Sequence, residues 1–339
     1  MSRKVRWGIL STAAIGVNKV IPAMQKGHWC DVVAIASREI DKATSAAQRL
    51  GIPKAYGSYE ELLADGEIEA IYNPLPNHLH VPWTTRAAEA RKHVLCEKPI
   101  GLNMEEAAQL LEVRDRTGMK IQEAFMVRTH PQWIAARELV ESGRIGELRV
   151  INGFFSYFNN NPENIRNKPE IGGGSVLDIG CYPISLSRFI FRQEPLRVFA
   201  LIDRDPRLGI DRLTSAILDF PAGQASFTCS TQLVPHQRMQ LCGTLARIEV
   251  EIPFNSPSDK PARILIHDGS DLAGNNPEVK EFPICDQYLI QGDLFSRAIL
   301  ENSAQAIPLE DAVQNMAVID ALFCSASSAQ WQSIPQNVN

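Results

Sequence analysis

The residues with the clearest chemical consequence lie in a turn near the N-terminus, Gly8-Ile9-Leu10-Ser11-Thr12-Ala13-Ala14-Ile15-Gly16, and in the pair Ser37-Arg38. A short apolar run, Val5 to Leu10, leads into the turn, and Ile15, Val20, Ile21 and Met24 leave it at helical spacing. Strand, tight turn and helix together can hold the pyrophosphate of a dinucleotide. Small residues let the backbone approach, and the helix N-terminus offers unbonded amides. The fingerprint for such a turn asks for glycine at 11, 13 and 16, and only Gly16 fits. Ser11 and Ala13 take the other two places. Both are small, and Ser11 or Thr12 adds a hydroxyl donor. The cofactor contacts expected here fall on Gly8, Ser11, Thr12, Ala13 and Ile15.

The second apolar run, Asp31 to Ser37, ends where an NAD enzyme usually places Asp or Glu against the ribose hydroxyls. This chain has Ser37-Arg38 there. A carboxylate repels a 2′-phosphate, whereas Ser and Arg bond it, and Arg also stacks on adenine. Lys42 is a second phosphate partner. Glu39 lies between them in sequence, with a side chain free to turn away. The pattern predicts NADP as the cofactor.

The elements that must carry these residues read as two domains, 1–126 and 127–339. In the first, strand-like runs at Ala70 to Leu75, His93 to Cys96 and Lys120 to Phe125 alternate with helices at about 79–91 and 103–117. An Ala-rich helix at 40–50 stops at Gly51, and Ser58 with Glu61 forms a capping box. This alternation predicts a doubly wound parallel sheet, the Rossmann arrangement. After residue 126 comes one helix, Pro131 to Ser142, then strands at Leu148 to Phe158, Arg197 to Ile202, Thr214 to Leu218, Ser226 to Thr231, Ala246 to Ile252 and Ala262 to Ile266. A helix at about 176–190 interrupts them, and a helix pair at 286–302 and 309–327 follows. The fold class expected is α/β: an N-terminal Rossmann sheet plus a C-terminal α+β domain with a large open, mostly antiparallel sheet.

Composition narrows the function. The 339 residues are 45% hydrophobic and 22% charged, with a formal net charge of -5, so no global positive field draws the chain to nucleic acid or anionic lipid. No apolar run nears the roughly 18 residues that span a bilayer. Met-Ser-Arg-Lys runs straight into a strand-like segment without a leader pattern, which predicts a cytoplasmic protein. Seven scattered cysteines, Cys30, Cys96, Cys181, Cys229, Cys242, Cys285 and Cys324, form no CxxC pair and no disulfide framework. Most are expected to be small buried residues, and Cys181 has no evident activating partner. His78 and His80 lack the spacing of a helical ligand pair, so no metal is expected. His130, before Pro131, is ambiguous between site and core.

His93-Val94-Leu95-Cys96-Glu97-Lys98-Pro99 closes the fifth strand of the expected Rossmann sheet, and there the chain resembles the Gfo/Idh/MocA oxidoreductase family. The resemblance runs through Tyr72-Asn73-Pro74-Leu75-Pro76-Asn77-His78-Leu79-His80 and Glu123-Ala124-Phe125-Met126-Val127-Arg128-Thr129-His130-Pro131. It continues through Asn164-Ile165-Arg166 and the stretch from Gly172-Gly173-Gly174-Ser175 to Asp178-Ile179-Gly180-Cys181-Tyr182. Many members carry His where this chain has Tyr182. The tyrosine form resembles glucose-fructose oxidoreductase, dimeric dihydrodiol dehydrogenase, NADP-dependent xylose dehydrogenases and aldose-aldose oxidoreductases.

The resemblance implies hydride transfer between NADP and an aldose-like sugar. Tyr182 would exchange the hydroxyl proton, Lys98 would orient the hydroxyl and tune the phenol, and Asp178 would hold a sugar hydroxyl or position Lys98. Cofactor contacts are implied for Pro74, Leu75, Asn77, His78, Glu97, Lys98, Arg128 and Arg166. Substrate contacts are implied for Lys98, Arg128, Tyr157, Asp178 and Tyr182. Phe158, Asn159, Asn160 and Asn161 are candidates for one pocket edge, and Tyr288 and Gln291 are weaker ones. The partner expected is a second copy of the chain, paired through the open sheet. Two alternatives share the fold: a dihydrodiol or dicarbonyl oxidoreductase, and a non-catalytic NADP-binding regulator.

Overall fold

The computed structural model of the chain describes residues 3–335. Two compact units are present. The first runs to Met126 and takes back Asp286–Val313; the second is Val127–Cys285 with the chain from Gln314.

The first unit is built on β1 (Val5–Leu10), β2 (Cys30–Ala36), β3 (Lys54–Tyr56), β4 (Ala70–Asn73), β5 (His93–Cys96) and β6 (Ile121–Glu123). These strands pair in parallel in the order β3-β2-β1-β4-β5-β6. Their runs are apolar almost throughout because helices cover both faces of such a sheet. Trp7, Ile9, Ile35, Tyr72 and Leu95 share one core. The connecting helices are α1 (Ile21–Met24), α2 (Ile40–Leu50), α3 (Tyr59–Ala64), α4 (His80–Glu89) and α5 (Met104–Thr117). Gly51 ends α2 in the left-handed region at φ 66°. The Ser58 hydroxyl accepts the Glu61 amide at 3.1 Å, while the Glu61 carboxylate reaches the Gly57 amide instead of that of Ser58.

The sequence assigned all of 127–339 to a second domain, but the helix Gln287–Leu300 packs in the first unit. The reason is local complementarity. The Trp7 indole donates to Ser296 Oγ at 3.0 Å, Phe295 lies 5.8 Å from the Trp7 ring, and the Asp293 carboxylate accepts the His28 and Trp29 amides at 2.9 Å. Gly27 and Gly292 permit the approach: a Cβ at 27 would stand 2.4 Å from Asp293 Oδ1, and one at 292 would stand 3.0 Å from Met24.

The second unit begins with α6 (Pro131–Glu141) and carries β7 (Leu148–Phe158), α7 (Cys181–Phe191), β8 (Arg197–Arg204), β9 (Asp211–Phe220), β10 (Gly223–Ser230), β11 (Gln232–Gly243), β12 (Arg247–Val250), β13 (Ala262–His267), β14 (Glu278–Phe282) and β15 (Gln332–Ser333). The nine strands run in the order β14-β13-β12-β11-β7-β10-β9-β8-β15, with β7 and β10 parallel and the other pairs antiparallel. Along β9, Thr214, Ala216 and Leu218 are buried while Ser215 and Ile217 are exposed, the alternation of a sheet covered on one face. A helix Leu309–Ser328 precedes β15. No helix among the described residues is long and apolar enough to cross a membrane.

Candidate active site

In the first unit the turn after β1 adopts the geometry of a glycine fingerprint without its glycines. Ser11 sits at φ 72°, a region that favours glycine. Its hydroxyl accepts the Ala13 amide at 3.2 Å, an exchange that a glycine could not make. Gly16 heads a π-helical turn, Gly16–Val20, that runs into α1. A Cβ there would meet Pro74 and Tyr72 at 3.6 Å, an ordinary contact, so packing does not require the glycine. Gly8 differs. It is buried within β1, and a Cβ would stand 2.8 Å from Leu62, so packing explains that glycine. Ile15 packs against the unit's core.

Beside this turn a cleft of about 340 Å³ is lined by Thr12, Val17, Asp41, Lys42, Ser45, Ala46 and Arg49. It brings together two residues named from sequence, Thr12 and Lys42, and two that sequence reading missed, Ser45 and Arg49. The latter lie one and two turns beyond Lys42 on the same face of α2, a spacing that helical periodicity could have flagged. Lys42 Nζ bonds Glu39 at 2.6 Å, so the Glu39 side chain turns toward Lys42. Ser37 is buried, and its hydroxyl accepts the Glu39 amide at 3.3 Å. The Arg38 guanidinium stands beside the Tyr59 phenol, whose pKa burial raises and Arg38 lowers.

At the C-terminal ends of β4 and β5, Pro74 and Leu75 are buried, while Asn77 and His78 form a short 3-10 turn, Asn77–Leu79. His78 Nδ1 is buried with no hydrogen-bond partner among the described residues, the mark of an atom awaiting a ligand. Glu97 accepts the Tyr72 hydroxyl at 2.6 Å. Burial raises the Tyr72 phenol well above its ordinary value, and the Glu97 charge adds to the shift. Lys98 follows, half-buried, outside the strand pairing. His80 is fully buried, and each ring nitrogen lies 2.6 Å from a backbone carbonyl, so it is committed to structure. Burial pulls its imidazole down to about 4, against the two carbonyls, which favour the protonated ring. Gln291 is 1% exposed inside the first unit, and its Oε1, like His78 Nδ1, has no hydrogen-bond partner among the described residues. Tyr288 is largely buried beside the charge of Glu97 and packs on the same core.

In the second unit a π-helical turn, Val176–Gly180, leads into α7 and carries Asp178 just ahead of Tyr182. π-turns of this kind recur at functional sites. Its start is fixed from below: the buried Asp211 carboxylate accepts the Ser175 hydroxyl at 2.8 Å and the Val176 amide at 2.7 Å. Gly174, at φ 124°, leaves room for Asp211, since a Cβ there would collide with its carboxylate.

Asp178 gathers the polar residues of this unit. Tyr157 donates to Asp178 Oδ2 at 2.5 Å, and Arg166 Nε donates to Oδ1 at 3.1 Å. Asp178 in turn raises the Arg166 pKa, and the Tyr157 and Tyr182 phenols contribute to the same shift. Burial and the neighbouring Asp178 raise the Tyr157 phenol. The Tyr182 ring is 6% exposed and packs against Phe155 and Phe254, with centroids 5.9 and 5.6 Å away. Arg128 donates to Ser185 Oγ at 3.0 Å and lies 4.6 Å over the Phe189 ring, one to two turns along α7 from Tyr182. Phe158 is 61% exposed, and Asn159 Oδ1 accepts the Asn167 side-chain amide at 3.3 Å. His130 is buried and caps α6 through the Gln132 amide, which makes it a structural residue. Cys181 is buried, and no disulfide joins any of the seven cysteines among the described residues.

A parallel Rossmann unit with a tight turn after β1, joined in one chain to a sheet unit with a Tyr-Asp-Arg cluster, is the arrangement of an NAD(P)-binding oxidoreductase. Residues 5–125 match the family model for the oxidoreductase family, NAD-binding Rossmann fold, and residues 133–249 match the GFO/IDH/MocA C-terminal domain. The chain belongs to the Gfo/Idh/MocA family. It is 50% identical over 331 residues to an uncharacterised oxidoreductase of Rhizobium meliloti, covering 97% of this chain and 99% of that one. It is 36% identical over 324 residues to a D-xylose 1-dehydrogenase (NADP(+)) of Haloferax volcanii, covering 95% and 97%. Among solved structures it resembles a 3-ketoreductase from Actinomadura kijaniata in complex with NADP and TDP-benzene, with 27% identity, a TM-score of 0.88, and coverage of 95% of this chain and 98% of that one.

Proposed function

We propose that this protein is an NADP-dependent oxidoreductase acting on an aldose-like sugar, with Tyr182 exchanging the hydroxyl proton and Lys98 supplying positive charge at the same oxygen. The observation that carries the reading is the Tyr157-Asp178-Arg166 cluster, set one helical turn before Tyr182. It offers a carboxylate, a phenol and a guanidinium, a set suited to several sugar hydroxyls. Arg166, at home in this cluster, also adds cationic charge near the Tyr182 phenol. The residues of the first unit fit a dinucleotide. Ser11 holds the tight turn, His78 Nδ1 is an orphaned buried atom, and Ser37-Arg38 puts no carboxylate where a 2′-phosphate would lie.

When bound, NADP takes or gives the hydride at the carbon. In oxidation Tyr182, as the phenolate, would take the hydroxyl proton while the C–H hydride goes to the nicotinamide, leaving a carbonyl; in reduction the Tyr182 phenol would return the proton. A phenol with an ordinary pKa near 10 is a poor base at neutral pH, and a neighbouring cation lowers that value. That is the role we assign to Lys98. Ser37, Arg38 and Lys42 take the 2′-phosphate, with Thr12 and Arg49 lining the same cleft as Lys42.

The test is a panel of aldoses, polyols and a trans-dihydrodiol with NADP and with NAD, followed by nicotinamide absorbance and product analysis. Lys98→Met and Tyr182→Phe should keep NADP binding and lose turnover by about a hundredfold or more. Full activity of either variant with sugars defeats the mechanism. Arg38→Ala should weaken NADP far more than NAD, and an equal loss for both defeats the phosphate assignment. Turnover with the dihydrodiol alone would favour the dihydrodiol reading, which uses the same residues.

A further inference from the structure

The peptide group that follows Lys98-Pro99 is gripped at both ends by buried side chains. The Pro99 carbonyl oxygen lies 2.6 Å from His80 Nδ1, and the Ile100 amide donates to Glu123 Oε1 at 2.8 Å. That oxygen and that N–H belong to one peptide unit. His80 and Glu123 are each 1% exposed, one from the start of α4 and the other from the end of β6.

The grip extends sideways. His80 Nε2 lies 2.6 Å from the Leu75 carbonyl. The Asn73 side-chain amide donates to the His80 carbonyl at 3.1 Å and to the Thr84 hydroxyl at 3.2 Å, and Asn73 Oδ1 accepts the Leu75 amide at 3.3 Å. The Asn73 carbonyl accepts the Glu97 amide at 3.0 Å. All of these contacts lie within the first unit. The Glu97–Asn73 bond closes the β4–β5 ladder, which pairs as far as Asn73 and Cys96; the side-chain contacts lie beyond it.

Burying a histidine, an asparagine and a carboxylate costs free energy that only matched partners offset. Here the partners are the Leu75 backbone, the Pro99–Ile100 peptide, the His80 carbonyl and the Thr84 hydroxyl, gathered about the strand end that carries Lys98. In the Nδ1–H tautomer His80 donates to the Pro99 carbonyl while Glu123 accepts the Ile100 N–H; the two polarise one peptide in the same sense, so each bond strengthens the other.

We infer that His80 and Glu123 are positioning residues for Lys98: by fixing the Pro99–Ile100 peptide from both ends, they set where the Lys98 side chain leaves the sheet. The inference rests on the reading of Lys98 as the cation beside the reacting hydroxyl. A misplacement of about 1 Å in such a group costs on the order of a hundredfold in rate.

The experiment compares His80→Phe and Glu123→Leu with the conservative His80→Gln, which keeps a donor, and Glu123→Gln, which keeps an acceptor. Three readouts are taken on the full chain: hydrogen exchange at the Ile100 amide, the Kd for NADP, and kcat and KM for the sugar of the panel that turns over fastest. His80→Phe and Glu123→Leu should exchange Ile100 faster by about tenfold and lose kcat by about tenfold or more, with Kd and KM within about threefold of wild type. Both Gln variants should recover most of the exchange protection and of kcat. The inference is overturned if kcat stays within about twofold of wild type, if Ile100 exchange is unchanged, or if the Gln variants fail to recover either quantity, as a general packing defect would give. If His80→Phe does not fold, the Glu123 pair decides alone. Lys98→Met is run beside them. Full turnover in that variant removes the proposed role of Lys98 and the positioning role with it. Loss of turnover there, with none in the clamp variants, sinks only the clamp.

Discussion

Ser11 shows how one residue can satisfy a site while disguising it. The turn needs a backbone at φ 72°, where a Cβ is costly, and the chain accepts that cost in exchange for a hydroxyl bonded to the Ala13 amide. Ser11→Gly should therefore raise stability by up to about 1 kcal/mol in urea unfolding while weakening NADP binding, read by fluorescence titration. A stabilised variant with unchanged NADP affinity would show that the hydroxyl serves only the turn. Asp178 gives a second prediction at this scale. Both of its oxygens are engaged, by Tyr157 and by Arg166. Tyr157→Phe removes one of those bonds from a half-buried carboxylate. It should lower sugar kcat/KM by about tenfold with little change in Tm. An unchanged kcat/KM would take Tyr157 out of the substrate site.

Among the elements, the π-turn Val176–Gly180 carries the heaviest demand, because it aims both Asp178 and Tyr182. Asp211 holds its first amide, and burial raises that carboxylate's pKa while the Val176 and Ser175 bonds lower it. Asp211→Ala strands a buried hydroxyl and a buried amide, so it should cost about 3 kcal/mol in urea unfolding and reduce turnover in the protein that still folds. A loss under about 1 kcal/mol would mean that the turn holds itself. The loop between α3 and β4 supplies a pH-dependent counterpart. Lys54, with the Glu67 amide and the Tyr56 hydroxyl, holds Asp65 down at about 2, below its ordinary 3.8. A carboxylate depressed by folding contributes stability that is complete above its unfolded value and is lost as pH falls from about 4 to about 2. Asp65→Asn should thus shrink the difference in urea midpoint measured above and below that window. An unchanged difference would show that the pair is inert.

On the scale of the whole molecule, the return of Asp286–Val313 to the first unit has a direct consequence. A fragment ending at Met126 lacks the helix that covers Trp7, Cys30 and Met24, and should expose the Trp7 indole, read as a red-shifted emission and a broadened thermal transition. Supplying residues 286–313 as a tethered segment should restore the cooperative transition; a fragment that folds as sharply without it would contradict this packing. The outward face of the nine-stranded sheet bears Phe199, Leu201, Ile217 and Phe154 among Ser215, Thr228 and Asn152. We propose that a second copy of the chain covers it. Ile217→Asp should then convert a dimer into a monomer by sedimentation, and a wild-type chain that sediments as a monomer rules out the pairing.

Much of this protein is written in local pattern. The apolar runs of β1, β2, β4 and β5, the caps at Gly51 and Ser58, and the alternation along β9 all follow from neighbours within a few residues, so the two sheets and their types were legible from sequence. The motif around Glu97-Lys98-Pro99 likewise announced the family. Strand β11 was not legible, because Pro235 and a run of polar residues break the pattern; the structure accommodates them at a register shift between Gln232 and His236. Nor was the membership of the helix Gln287–Leu300, since no local signal says which distant surface a helix will cover. The same limit applies to the site. The sequence singled out Lys98, Asp178 and Tyr182 as candidates by type and order, but only the tertiary structure decided that Tyr157 and Arg166 converge on Asp178, that Arg49 lines the cleft of Lys42, and that His80 and Glu123 close on one peptide. Those contacts join residues far apart in the chain, and their geometry is fixed by packing between elements, which no residue's neighbours in sequence determine.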